Sequence, residues 1–219
     1  MRIIPYAMAL FLLAPMVLTA EDRTAEVEKE EGFVSLFDGN SLEGWVGATN
    51  GYLVEDEQII CDPKSGGNLF TEKQYQDFVL RLEFKVPPGG NNGIGIRAPN
   101  SGDVAYSGIE IQVLDDDAPK YKNLQEYQYH GSLYGLVPAK RGHLKPAGEW
   151  NFQEVRVEGD KIQVILNGTT IIDADMAEIR SKPTLDGKEH PGIHRDKGHI
   201  GFLGHGNPVA FRNIRIREL

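Results

Sequence analysis

Asp77-Phe-Val-Leu-Arg-Leu-Glu-Phe-Lys-Val86 decides the fold class. Phe78, Leu80, Leu82, Phe84 and Val86 fall on one face, and Arg81, Glu83 and Lys85 on the other. A period of two over this length is the signature of a strand with one buried side. The same pattern recurs downstream. Trp150 to Glu158 and Lys161 to Leu166 alternate on either side of Gly159-Asp160. Asn167-Gly168 then predicts a tight turn into Thr169 to Ile172, and hence a hairpin. Val209 to Ile216 alternates with one step out of phase, which predicts a bulge.

Between these runs the chain is punctuated by 25 Gly and 12 Pro in 219 residues, and no long amphipathic helix is apparent. Ala174 to Arg180 has room for a single helical turn. Short strands separated by turn signals predict an all-β, single-domain β-sandwich of jelly-roll type. Residues 181–197 read as a long surface loop of the kind that often carries function.

The N-terminus differs in character. MRIIPYAMALFLLAPMVLTA (residues 1–20) has a basic start at Arg2, an apolar run from Met8 to Leu18 broken by Pro15, and a small-residue end at Thr19-Ala20. It reads as a signal peptide. The apolar core is too short to span a bilayer comfortably, so no stable membrane insertion is expected after cleavage. Residues 21–31 are a charged leader without apolar period, and the domain is assigned to residues 32–219. The expected location is therefore outside the cytoplasm, periplasmic or extracellular. The net charge is -9, and removing residues 1–20 takes away only Arg2. Such an acidic chain is a poor partner for nucleic acid. Cys61 is the one cysteine, follows Ile59-Ile60, and reads as a buried small hydrophobe.

Chemistry is sought on the faces opposite the core. In Asn91-Asn-Gly-Ile-Gly-Ile-Arg97, Ile94 and Ile96 oppose Gly93, Gly95 and Arg97. In Gly108-Ile-Glu-Ile-Gln-Val-Leu114, Ile109, Ile111 and Val113 oppose Glu110 and Gln112. In Gly198-His-Ile-Gly-Phe-Leu-Gly-His205, Ile200 and Phe202 oppose His199, Gly201, Leu203 and His205. Strand glycines mark places where a ligand comes close to the backbone. Interleaved with Arg, Glu, Gln and His, they suggest the floor of a groove; the plain alternative is a solvated face.

Glu110 stands mid-strand, where a carboxylate is unfavourable unless it acts as an acid/base or pairs with Arg97. His205, between two glycines, suits a general base or metal ligand as well as a turn. His130, in Tyr129-His-Gly-Ser-Leu-Tyr134, is placed to stack on a sugar or simply to occupy a loop. Asp115, Asp116 and Asp117 form an acidic loop with the oxygen density a divalent cation prefers, or a solvated turn. HExxH, paired CxxC, GxSxG and phosphate-loop motifs are absent from the sequence.

Taken together, the motifs resemble a known family. Phe33-Val-Ser-Leu-Phe-Asp-Gly-Asn-Ser-Leu-Glu-Gly-Trp45, Asn92 to Arg97, Gly108 to Asp115, Gly131-Ser-Leu-Tyr-Gly135, Gly148-Glu-Trp-Asn151, Leu166-Asn-Gly168 and Gly198-His-Ile-Gly201 through Phe211-Arg-Asn-Ile214 are similar, in order, to the 3-keto-disaccharide hydrolase domain. The resemblance implies a concanavalin A-like jelly roll, export, and action on glycosides oxidised at C3. In such a sugar the ketone acidifies the C2 proton, so a base, an enolate stabiliser and a leaving-group acid are needed. The residues assigned on that basis are Glu110 and His205 as acid/base, with Arg97, Gln112, His130, Tyr134 and His199 binding substrate. A divalent cation at the enolate is a further possibility.

Two other readings stay open. Glu110-x-Gln112-x-x-Asp115 resembles the catalytic strand of laminarinase-type retaining glucanases, with Gln for the middle Asp and Asp for the last Glu. A lectin-like carbohydrate-binding module is the non-catalytic reading, since the fold hosts both.

Overall fold

The alternating stretch lies in the middle of the larger of two antiparallel sheets. The computed structural model describes residues 31–219, and the compact unit runs from Phe33 to Leu219. The expected signal peptide and leader residues 21–30 lie outside the described residues. The strands are β1 (Val34–Ser35), β2 (Trp45–Gly47), β3 (Tyr52–Glu55), β4 (Gln58–Cys61), β5 (Gly67–Tyr75), β6 (Phe78–Lys85), β7 (Asn91–Ala98), β8 (Ile109–Leu114), β9 (Trp150–Glu158), β10 (Lys161–Leu166), β11 (Thr169–Asp175), β12 (Gly198–Gly204) and β13 (Ala210–Glu218). Two short helices interrupt them, α1 (Val104–Ser107) and α2 (Met176–Arg180).

The larger sheet has the order β11-β10-β9-β6-β13-β4-β3, with β1 also paired to β13. The smaller has the order β2-β5-β12-β7-β8. Facing inward from the larger sheet are Phe78, Leu80, Leu82 and Phe84 of β6 with Phe211, Ile214 and Ile216 of β13. They meet Ile94 and Ile96 of β7, Ile109, Ile111 and Val113 of β8, and Ile200 and Phe202 of β12. Phe202 stacks on Phe211 with ring centres 3.8 Å apart, which fixes the spacing of the sheets at that point. The architecture is an all-β jelly-roll sandwich, as the alternation implies.

Local turn chemistry also follows the sequence. Asn167 (φ 50°) and Gly168 (φ 86°) both adopt the left-handed conformation that a two-residue hairpin needs between β10 and β11. The phase slip in the last strand is a bulge, where β13 shifts register against β6 between Arg212 and Arg215 around Asn213 (φ 50°).

A bulge that the sequence hides changes the outer face of the smaller sheet. Arg97 has φ 50°, and β7 carries one residue more than β12 between the pairs Gly95–Gly201 and Ala98–His199. One extra residue reverses the alternation. Ala98 therefore takes the outer position expected for Arg97 and joins Phe70, Val104 and Leu203 in a small apolar cluster.

Candidate active site

The outer face of the smaller sheet carries a cavity of about 250 Å3. Its floor is Glu110, Gln112 and Leu114 of β8, with Asn91 from β7, Leu203 from β12 and Asn68 from β5. One wall is α1 with its N-cap, Asp103, whose side chain accepts from the Ala105 amide at 3.1 Å. The opposite wall is the chain following β8, contributing Tyr121, Leu124, Gln128 and Tyr134, and His205 stands at the end of β12.

Tyr134 reaches this wall because its loop runs along the open edge of β8. The Gly131 and Tyr134 amides donate to Gln112 and Glu110 carbonyls at 2.8 and 3.0 Å, and the Gln112 amide donates to Ser132 at 3.0 Å. The edge of the sheet is thereby capped and Tyr134 is brought beside Glu110.

Glu110 is 5 % exposed, and its Oε1 is buried with no hydrogen-bond partner among the described residues. The strand glycines explain how it fits. A Cβ on Gly93 would overlap Oε1 of Glu110 and lie 2.8 Å from its Cδ. A Cβ on Gly95 would lie 3.0 Å from Val104 and 3.3 Å from Leu203. The glycines were expected to admit a ligand; the space they leave is filled by the protein's own site residues. Burial, with Asp103 adding to it, pushes the Glu110 carboxyl up to about 8, so it is predominantly protonated at neutral pH. His205 is shifted the other way. Desolvation by the surrounding protein lowers its pKa against the pull of Asp103, although solvent reaches the side chain. At neutral pH the cavity thus holds a neutral carboxylic acid and a neutral imidazole.

The structure brings Glu110, Gln112, Tyr134 and His205 together around the cavity and places the other expected residues elsewhere. Arg97 is 2 % exposed and donates to the Gly159 carbonyl in the turn between β9 and β10, near Asp77, Asp160 and Asp196. The bulge turns it away from the cavity. His130 points into the core, stacked on Phe84 at 5.0 Å, and accepts weakly from the Leu114 amide at 3.4 Å. Burial pushes its pKa down to about 3, so it is a neutral core residue. His199 lies outside the cavity lining, its Nδ1 bonded to the Thr71 carbonyl at 2.7 Å and its Nε2 3.2 Å from Gln74 Nε2.

The acidic loop does not converge on a cation site. Asp115 accepts from the Gly89 amide at 2.7 Å, Asp116 from the His130 amide at 2.8 Å, and Asp117 is exposed. Among the described residues no group of three or more His, Cys, Asp or Glu is arranged to hold a metal ion. Asp103, Tyr106 and Gln128 line the cavity without having been singled out in the sequence. The one available signal was Asp103 as an N-cap, and a four-residue helix is too short to show a period.

Comparison with known proteins identifies the family. A protein of Bacteroides thetaiotaomicron named 3-keto-disaccharide hydrolase is 28 % identical over 232 residues, spanning 86 % of this chain and 79 % of that one. A Parabacteroides distasonis crystal structure described as a candidate glycosyl hydrolase is 31 % identical, with a TM-score of 0.75 over 85 % of this chain and 99 % of that chain. A second from the same organism is 26 % identical, with a TM-score of 0.76 over 93 % and 98 %. Residues 32–217 match the profile of the 3-keto-alpha-glucoside-1,2-lyase-like domain, and the chain belongs to that family.

Proposed function

We propose that the protein is an exported enzyme that cleaves 3-keto-glycosides, including 3-keto-disaccharides, by elimination followed by addition of water. The observation that carries this reading is the pairing, in one cavity, of a buried carboxyl with an unpartnered oxygen and an imidazole held neutral. Two titratable groups displaced in opposite directions define an acid and a base. Family membership and the name of the Bacteroides relative supply the substrate class. The expected signal peptide supplies the location.

In this reading His205 takes the proton from C2, which the C3 ketone has made acidic. The C2–H electron pair moves into the C2–C3 bond and the ketone oxygen becomes an enolate. Glu110, still protonated, donates a hydrogen bond to that oxygen, and a donor already held in place is most effective where charge develops. Gln112 binds a neighbouring hydroxyl. The enolate then re-forms the ketone as the C1–O bond breaks, and water adds to C1 to complete the net hydrolysis. The retaining-glucanase reading loses its second carboxylate, because Asp115 is engaged by the Gly89 amide and lies outside the cavity.

The test is aglycone release from a 3-keto-glucoside and from its unoxidised parent. Release from the keto sugar alone is expected. Release from the parent would move the direct glycosidase reading ahead, and binding without release from either would favour a lectin.

A further inference from the structure

We propose that Tyr106 is the acid that protonates the departing glycosidic oxygen, with Lys188 as its positioning residue. The proposal rests on the elimination chemistry above and adds the group that chemistry lacks.

Tyr106 lines the cavity from α1. Lys188, from the 181–197 loop, donates to its phenol oxygen at 2.7 Å and is its only hydrogen-bond partner among the described residues. An ammonium has donors and no acceptor. The Tyr106 oxygen therefore accepts, and its own proton is left without a protein acceptor, on a residue that faces the cavity. The same cation stabilises the negative charge that grows on the oxygen as the proton leaves.

The loop is held for this purpose by a buried pair. His190 Nε2 lies 3.1 Å from Asp186, with side chains 0 % and 6 % exposed. The His190 ring meets the Tyr106 ring edge-on at 4.9 Å. Gly135, next to Tyr134, packs so closely on the pair that a Cβ would lie 2.7 Å from His190 Nε2, and its carbonyl accepts from the Leu185 amide at 2.8 Å. The Asp186–His190 pair thus ties the Lys188 loop to both tyrosine-bearing walls.

The step balances. The C1–O bond breaks with its electron pair on oxygen, that oxygen takes the Tyr106 proton, and the phenolate remains beside Lys188 until water reprotonates it. The proton from C2 stays on His205 and returns to solvent.

The experiment compares Y106F with wild type on methyl and 4-nitrophenyl 3-keto-glucosides. Methanol must be protonated as it leaves, whereas 4-nitrophenolate departs as a stable anion. Loss of kcat/KM on the methyl glycoside about 100-fold greater than on the aryl glycoside is expected, in the range of general acid catalysis. K188M should show the same selectivity at about tenfold, with recovery in K188R, and it decides the matter if Y106F does not fold. Equal losses on the two substrates would overturn the assignment. A wild-type enzyme that releases nothing from either 3-keto-glucoside would instead overturn the elimination reading on which it rests.

Discussion

The carboxyl of Glu110 lies over Gly93, one strand away, in the space a side chain there would occupy. The absence of a β-carbon on β7 is therefore a requirement of the group on β8. Substituting Gly93→Ala should expel the carboxyl from its place and reduce kcat/KM by at least about 100-fold, with unfolding brought to lower temperature by the overpacking. Full activity in a folded Gly93→Ala protein would show that the Glu110 position is not needed.

Glu110 also sets the pH behaviour. In the proposed mechanism His205 acts neutral and Glu110 protonated, so kcat/KM should fall on the acid side as His205 protonates, below its ordinary range. It should fall again on the basic side near 8, where Glu110 ionises. Stability follows the same group. Its pKa is raised on folding, so its contribution is full below about 4.5 and is lost as pH rises through about 8. Glu110→Gln should therefore be more stable than wild type at pH 9, by on the order of 3–5 kcal/mol, and close to it at pH 4. Melting curves of the two proteins at both pH values decide this.

Arg97 should behave as a structural residue. Removing its buried guanidinium leaves the Gly159 carbonyl unpaired and the nearby acids without a counter-charge. Arg97→Ala is expected to lose about 2–4 kcal/mol of stability while the folded protein keeps kcat/KM within about twofold. A large fall in kcat with an unchanged melting temperature would put Arg97 back among substrate contacts.

Asp186→Asn should loosen the 181–197 loop. Weakening a buried hydrogen bond to a carboxylate from one side typically costs about 1–3 kcal/mol locally. The expected signature is faster amide hydrogen exchange across residues 181–197 and, through Lys188, slower turnover. Unchanged exchange in that loop would show that the Asp186–His190 pair does not anchor it.

The core was legible because it depends on period two alone. Phe78 to Phe84, Ile94, Ile96 and Ile109 to Val113 all face where alternation puts them. Glu110 and Gln112 were legible for the same reason, since β8 has no irregularity between them. Arg97 was misplaced by a single residue in the left-handed conformation, which leaves no mark in composition. His130 was misplaced because a polar, aromatic segment reads as an exposed loop, whereas its backbone pairs with β8 and turns the imidazole inward. Tyr106 and Lys188 are 82 residues apart, and only closure of the 181–197 loop onto α1 brings them together.

The pairing of Val34 with Ile216 has a consequence for how the chain matures. β13 lies between β6 and β4 and also holds β1, so the larger sheet joins residues from opposite ends of the domain. A growing chain cannot complete that sheet until residues 210–218 have emerged from the ribosome, and contacts of such long sequence separation form slowly. Synthesis therefore contains an interval in which most of the chain is already made but the larger sheet lacks the strand that joins its two ends.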